Sequence, residues 1–150
     1  MATKLNKRFP FENNRQQFFT LLLGILDIRD GTFKYVSAGH PPLLHIPKKG
    51  PATISRATGF PIGVMDNPAY VNHSLQLQPG DRLYLYSDGV NEAGERSGQP
   101  WGIQGLCDFV ATQGTLPLGE ILDRILAETH ARHHKTEPPD DVSLVALELK

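Results

Sequence analysis

Arg82-Leu83-Tyr84-Leu85-Tyr86 restricts this 150-residue chain more than any other stretch, because as a strand it carries bulky apolar groups on both faces. A strand of that kind has to be central in its sheet and covered on both sides. It is entered by the turn signal Gln78-Pro79-Gly80-Asp81 and stops abruptly at Ser87-Asp88-Gly89. The remaining sequence must supply neighbouring strands and covering layers. Upstream, Phe18 to Ile28 and Thr32 to Ser37 flank the tight-turn signal Arg29-Asp30-Gly31 and read as a β-hairpin. Leu43 to Ile46 is a short third strand turned by Lys48-Lys49-Gly50. Phe60 to Pro68 is Pro-rich irregular chain, and Val71 to Leu77 alternates again. Downstream the period changes. Ile103, Leu106, Cys107 and Val110 have helical spacing, and Leu118, Ile121, Leu122, Ile125 and Leu126 repeat it. Pro117 suits that second helix's first turn, and His130, Arg132, His133 and His134 suit its C-terminal end. Val142 to Leu149 is a closing strand. This order predicts an α+β arrangement with a mainly antiparallel sheet.

The length suits one domain. A formal net charge of −1 removes the electrostatic ground for nucleic acid or an anionic membrane as main partner. The basic cluster Lys4 to Arg8 is interrupted by apolar residues and reads as a solvated terminus. The run Leu21 to Leu26 falls far below the roughly 20 residues of a membrane helix, and no signal-peptide pattern precedes it. The single cysteine, Cys107, can form no internal disulfide, which points to a reducing cytoplasm, and its helical apolar setting reads as core packing.

Acidic residues at the ends of buried strands are costly unless something compensates their charge. Asp88 ends the strand Arg82 to Tyr86, and Asp140-Asp141 stand just before Val142 to Leu149. If those strands are neighbours, the carboxylates converge at one sheet edge. Convergent carboxylates with no basic run nearby favour a hard cation, Mg²⁺ or Mn²⁺, held by oxygen ligands. Gly89 would let the chain leave the strand without a side chain obstructing the ion, and Glu92 could reach the ion or one of its waters. The plain alternative, that these acids are ordinary turn residues, is the commoner case on local composition and stays open here. His130 and His134 share a helix face, but with no H-E-x-x-H and no third ligand an exposed helix end is the simpler reading than zinc. Trp101 opens a helix and reads as core packing.

Five ordered blocks carry more than local chemistry does: Phe18 to Asp27, Asp30 to Leu44, Gly59 to Val64, Leu77 to Ala93 and Asp140 to Leu149. Together they resemble the SpoIIE-type branch of the metal-dependent serine/threonine protein phosphatases, the PPM family, over most of the chain from Phe18 onward. The resemblance implies part of a four-layer α-β-β-α sandwich with a two-metal site at one edge. It implies hydrolysis of phosphoserine or phosphothreonine by metal-activated water in bacterial signalling, with phosphorylated anti-sigma-factor antagonists as substrates. Asp88 matches the metal-binding aspartate of the family's S/T-D-G motif. Asp140 matches that of the closing D-D/N-x-S/T motif, with Asp141 as its alternative. Glu92 falls where the family often has an acid outside the direct ligands, and His40, in Ala38-Gly39-His40-Pro41-Pro42, aligns with a residue lining the same edge. The family's G-D-V-x-G-x-G motif has no counterpart here, since residues 1–18 hold no Gly and Glu12 is their only acid. The expectation is a C-terminal portion of the phosphatase domain, with residues 1–17 the tail of a preceding helix or a linker. The alternative is a catalytically silent phosphatase-like module that binds a partner or pairs with a second copy into a homodimer through exposed sheet edges.

Overall fold

The computed structural model describes residues 1–12, 17–55, 58–94, 100–114, 116–132 and 141–150. In chain order it has α1 (Ala2–Arg8), β1 (Leu21–Asp27), β2 (Thr32–Ala38), β3 (Leu44–Ile46), β4 (Thr53–Ile54) and β5 (His73–Gln76). There follow β6 (Arg82–Tyr86), α2 (Asp88–Asn91), α3 (Gly102–Thr112), α4 (Leu118–Arg132) and β7 (Leu144–Glu148). These form two compact units, Met1–Pro42 with Arg56–Leu77, and Leu43–Ser55 with Gln78–Lys150.

The first unit is a three-stranded antiparallel sheet in the order β1-β2-β5. The expected hairpin is present, with Asp27 opposite Thr32. Its turn is held by Asp27, whose carbonyl accepts from Gly31 N at 2.8 Å and whose carboxylate receives Arg29. Asp30 Oδ1 then accepts from Thr32 N at 2.8 Å, closing the loop locally. The strand starts at Leu21 rather than Phe18, because Phe19 instead bridges to Ile62, outside the ladder. In α1, Ala2 packs with Val36, Ala38 and Ile62. One turn on, buried Asn6 ties the helix to the irregular segment: its Nδ2 donates to Met65 O (3.0 Å), and its Oδ1 accepts from Gly63 N (2.9 Å) and the Tyr70 hydroxyl (3.2 Å). A buried amide with both ends satisfied fixes position as well as contributing stability.

The second unit is a four-stranded antiparallel sheet in the order β4-β3-β6-β7. As its sequence requires, β6 is internal, and the consecutive residues Leu83 and Tyr84 are 0% and 1% exposed, so both of its faces are buried. Tyr84 and Tyr86 meet Leu106, Cys107 and Val110 of α3 and Ile121 and Ile125 of α4 in one core. Trp101 joins that core, edge-on to Phe109 and beneath the Arg132 guanidinium, which stands 5.1 Å from the ring centroid. The closing strand begins at Leu144, two residues later than the sequence suggests. Two elements were not foreseen, the two-residue β4 and the single-turn α2. Among the described residues no helix is long and apolar enough to cross a membrane.

Candidate metal centre

The geometry at the end of β6 starts with Ser87. Its N–H donates to Ser143 O at 2.9 Å, which carries the β6–β7 ladder one residue beyond Tyr86 opposite Leu144. Its hydroxyl then does two things: it accepts from Ser143 N at 2.9 Å and donates to the Asp141 carbonyl at 2.8 Å. A hydroxyl can fill both roles at once, which an apolar side chain or a carboxylate cannot. Ser87 thus fastens the residues preceding β7 to the point where β6 ends.

Asp88, next in sequence, begins α2 and is exposed. Its Oδ1 accepts from Gly89 N at 3.0 Å, and its carbonyl accepts from Glu92 N at 2.9 Å. Gly89 is buried and helical, and Glu92 lies one helical turn from Asp88 on exposed chain. Asp141 is exposed as well. Among the described residues neither Asp88 nor Asp141 has a Lys or Arg partner. Asp88 and Asp141 thus stand beside the joined ends of β6 and β7, and carboxylate oxygens are a donor type that suits Mg²⁺ or Mn²⁺ better than a softer metal. Asp140 lies outside the described residues. Among those described, no group of three or more His, Cys, Asp or Glu stands together, so the fit extends to the ligand type and not to a full ligand shell.

His40 belongs to the first unit. Gly39 turns the chain out of β2 with φ +71°, and a Cβ there would lie 2.5 Å from Pro61 Cγ, so both the backbone and the space demand glycine. The His40 ring Nδ1 is 2.9 Å from Pro41 O. A carbonyl can only accept, so Nδ1 carries a proton and donates it to Pro41 O. Ser37 Oγ donates to the His40 carbonyl at 3.3 Å.

At the other end of β6 sits a carboxylate whose role the sequence does not disclose. Asp81 is 4% exposed and accepts from Lys48 N (2.9 Å), Gln78 N (3.0 Å) and His45 Nε2 (3.0 Å). Burial pushes its pKa up, but the Gln78 and Lys48 amides and the His45 ring outweigh burial and hold it below the usual aspartate value. Its backbone exchanges bonds with the chain's end, Leu149 N donating to Asp81 O. Asp81 is the buried anchor of the turn that aims β6. Cys107 is in the core, its thiol pushed up by burial and by Asp108, which agrees with packing rather than nucleophilic use. His130 is exposed on α4, and His133 and His134 lie outside the described residues.

The antiparallel α+β architecture, with Asp88 after the internal strand β6 and Asp141 before its edge neighbour β7, falls in a known class, the PP2C-type phosphatase fold. The sequence profile of Stage II sporulation protein E (SpoIIE) matches residues 1–150, and the chain belongs to that family. It is 31% identical over 130 residues to Protein IcfG of Synechocystis sp., covering 87% of this chain and 20% of that protein. It is 27% identical over 149 residues to the phosphoserine phosphatase RsbP of Bacillus subtilis, covering 97% of this chain and 34% of that protein. The chain therefore spans a fifth to a third of the length of these curated relatives. Among solved structures, the RsbU and RsbW domains of Rv1364c from Mycobacterium tuberculosis align with TM-score 0.72 and 26% identity, over 95% of this chain and 39% of that one. The manganese-presoaked phosphatase domain of SpoIIE from Bacillus subtilis aligns with TM-score 0.67 and 24% identity, over 87% of this chain and 56% of that one.

Proposed function

We propose that this chain is the C-terminal portion of a phosphatase domain that hydrolyses phosphoserine or phosphothreonine on a bacterial signalling protein, with Mg²⁺ or Mn²⁺ held at the Asp88 edge. The observation that carries the reading is the Ser87 knot, which brings the chain at Asp141 to the residue preceding Asp88. When bound, the cation supplies an activated water and offsets charge on the phosphoryl group. The protein's own residues do the rest. Asp88 and one or both of Asp140 and Asp141 give oxygen ligands, and Ser87 holds the two segments in register. Glu92, one turn from Asp88, would accept from the ion's outer waters. His40, its Nδ1 donating to Pro41 O, could serve as a general acid only with a proton on Nε2 as well. Residues 1–18 carry no counterpart of the family's Gly-Asp motif. The similarity to the phosphoserine phosphatase RsbP supports a phosphoserine protein as the substrate, and the family resemblance makes a phosphorylated anti-sigma-factor antagonist the proposed one, in a cytoplasmic setting.

Phosphate release from a phosphoserine peptide in Mn²⁺, measured on the full-length parent, tests this. Asp88→Asn should lower turnover about a hundredfold or more, and unchanged turnover would sink the assignment. A second reading, a catalytically silent module, draws support from the lack of a three-residue ligand group among the described residues. Under it the parent would release no phosphate at any Mn²⁺ concentration.

A further inference from the structure

The helical turn α2 begins with Asp88, and Glu92 follows directly on its end, yet α2 has four residues, too few for a helix to hold itself in water. Its place is therefore set by what it touches. At its start Val90 N donates to Ser87 O at 3.1 Å, and the Val90 side chain is fully buried in the core that Trp101, Ile121 and Ile125 share. Past its end, Ala93 O accepts from Trp101 N at 2.9 Å. Trp101 thus holds α2 twice, by its backbone at Ala93 and by its indole in the core around Val90. The indole is held in turn. A Cβ on Gly105 would lie 2.9 Å from Trp101 Cδ1, so α3 admits the ring because Gly105 has no side chain. Phe109 meets the ring edge-on at 5.3 Å, and Arg132, the last residue of α4, stands over it with its guanidinium 5.1 Å from the centroid. Glu128, one turn earlier, accepts from Arg132 Nε at 2.8 Å and steadies the guanidinium. Filling a core requires only the indole's bulk, whereas a cation over its face adds a directional constraint. A run of interactions therefore leads from α4 through the indole to Ala93 and α2, all within the second unit.

We propose that Trp101 and Arg132 are positioning residues for the metal edge: the cation over the indole fixes the ring, and Trp101, through Ala93 and Val90, fixes α2, so that Asp88 and Glu92 meet a cation at a set place. The consequence for metal rests on the reading proposed above, while the hold on α2 is a property of the metal-free chain. The sequence alone reads Trp101 as core packing, and charge separates the two roles. Core packing depends on the volume of the ring and of the Arg132 stem, and positioning depends on the guanidinium as well.

The test compares the full-length parent with Arg132→Met, which keeps the stem and drops the charge, Arg132→Lys, which keeps a cation, Glu128→Gln and Trp101→Leu, at a temperature where each is folded. In EDTA, hydrogen exchange of the Gly89 to Glu92 amides should be about three- to fivefold faster in Arg132→Met and Trp101→Leu than in the parent, with the β6 and β7 amides unchanged. Arg132→Lys should restore most of that protection. Glu128→Gln, which leaves the guanidinium over the ring, should stay within about twofold of the parent. Mn²⁺ affinity, measured by electron paramagnetic resonance, should fall about three- to fivefold in Arg132→Met. Parental exchange in Arg132→Met, or equal acceleration in Arg132→Met and Arg132→Lys, would overturn the proposal, and both arms stand if Trp101→Leu unfolds. Faster exchange at α2 with unchanged Mn²⁺ affinity, in a parent that binds the ion, would overturn it as well. A parent that binds no Mn²⁺ contradicts the metal reading instead, and the exchange data tell that failure from this one.

Discussion

Asp81 concentrates more of the second unit's polar order than any other described side chain, with two backbone amides and one imidazole on a nearly buried carboxylate. Removing it leaves those donors without their acceptor, and an unsatisfied buried polar group costs about 1–3 kcal/mol. Asp81→Ala should therefore destabilise the chain by about 2–4 kcal/mol in urea melts, whereas exposed Asp88→Asn should change stability little. The same residue sets a pH dependence. Its pKa is lower folded than unfolded, so its contribution is complete above the ordinary aspartate value of 3.8 and disappears as pH falls through the lower, folded value. Urea midpoints should drop below about pH 4 in the native chain and drop less in Asp81→Asn.

At the scale of elements, the end of β6 and the approach to β7 are joined through one hydroxyl. Ser87→Ala would remove both the acceptor for Ser143 N and the donor to Asp141 O. Water can reach these half-exposed groups, so stability should fall by about 1 kcal/mol or less. Metal affinity of the full-length parent should fall further, about tenfold, because the ligands would lose their common tether. In β1, Gly24 is required by its neighbour, since a Cβ there would stand 2.2 Å from the buried Phe33 ring. Gly24→Ala should cost on the order of 1–3 kcal/mol through that overlap, visible as a lower thermal midpoint.

Across the whole molecule, what could be read from the sequence follows how local the determining physics is. The bifacial apolar run Arg82 to Tyr86, the Asp30-Gly31 hairpin and the spacing of Leu118 to Leu126 each state their own structure, and each is found where the pattern places it. The division into two sheets is not local: β2 pairs with β5 some forty residues away, and no periodicity encodes that choice. β4 has two residues and α2 has four, too few for any period to emerge, and Ser87-Asp88-Gly89 reads as a turn although the chain continues into a helical turn. The site divides the same way. Asp88 shows in its motif, whereas Asp81 looks like a turn residue until His45, 36 positions away, is seen against it. Ser87 shows its function only when Ser143 and Asp141 are in place.

The central claim is that the Asp88 edge is a divalent-metal site, and manganese binding tests it most directly. Titration of the full-length parent by electron paramagnetic resonance, with Asp88→Asn and an Asp140→Asn/Asp141→Asn variant beside it, should show saturable Mn²⁺ binding. The account predicts that both variants lose at least about tenfold in affinity while keeping the parent's thermal midpoint. Mn²⁺ binding of equal affinity in the parent and Asp88→Asn would contradict it.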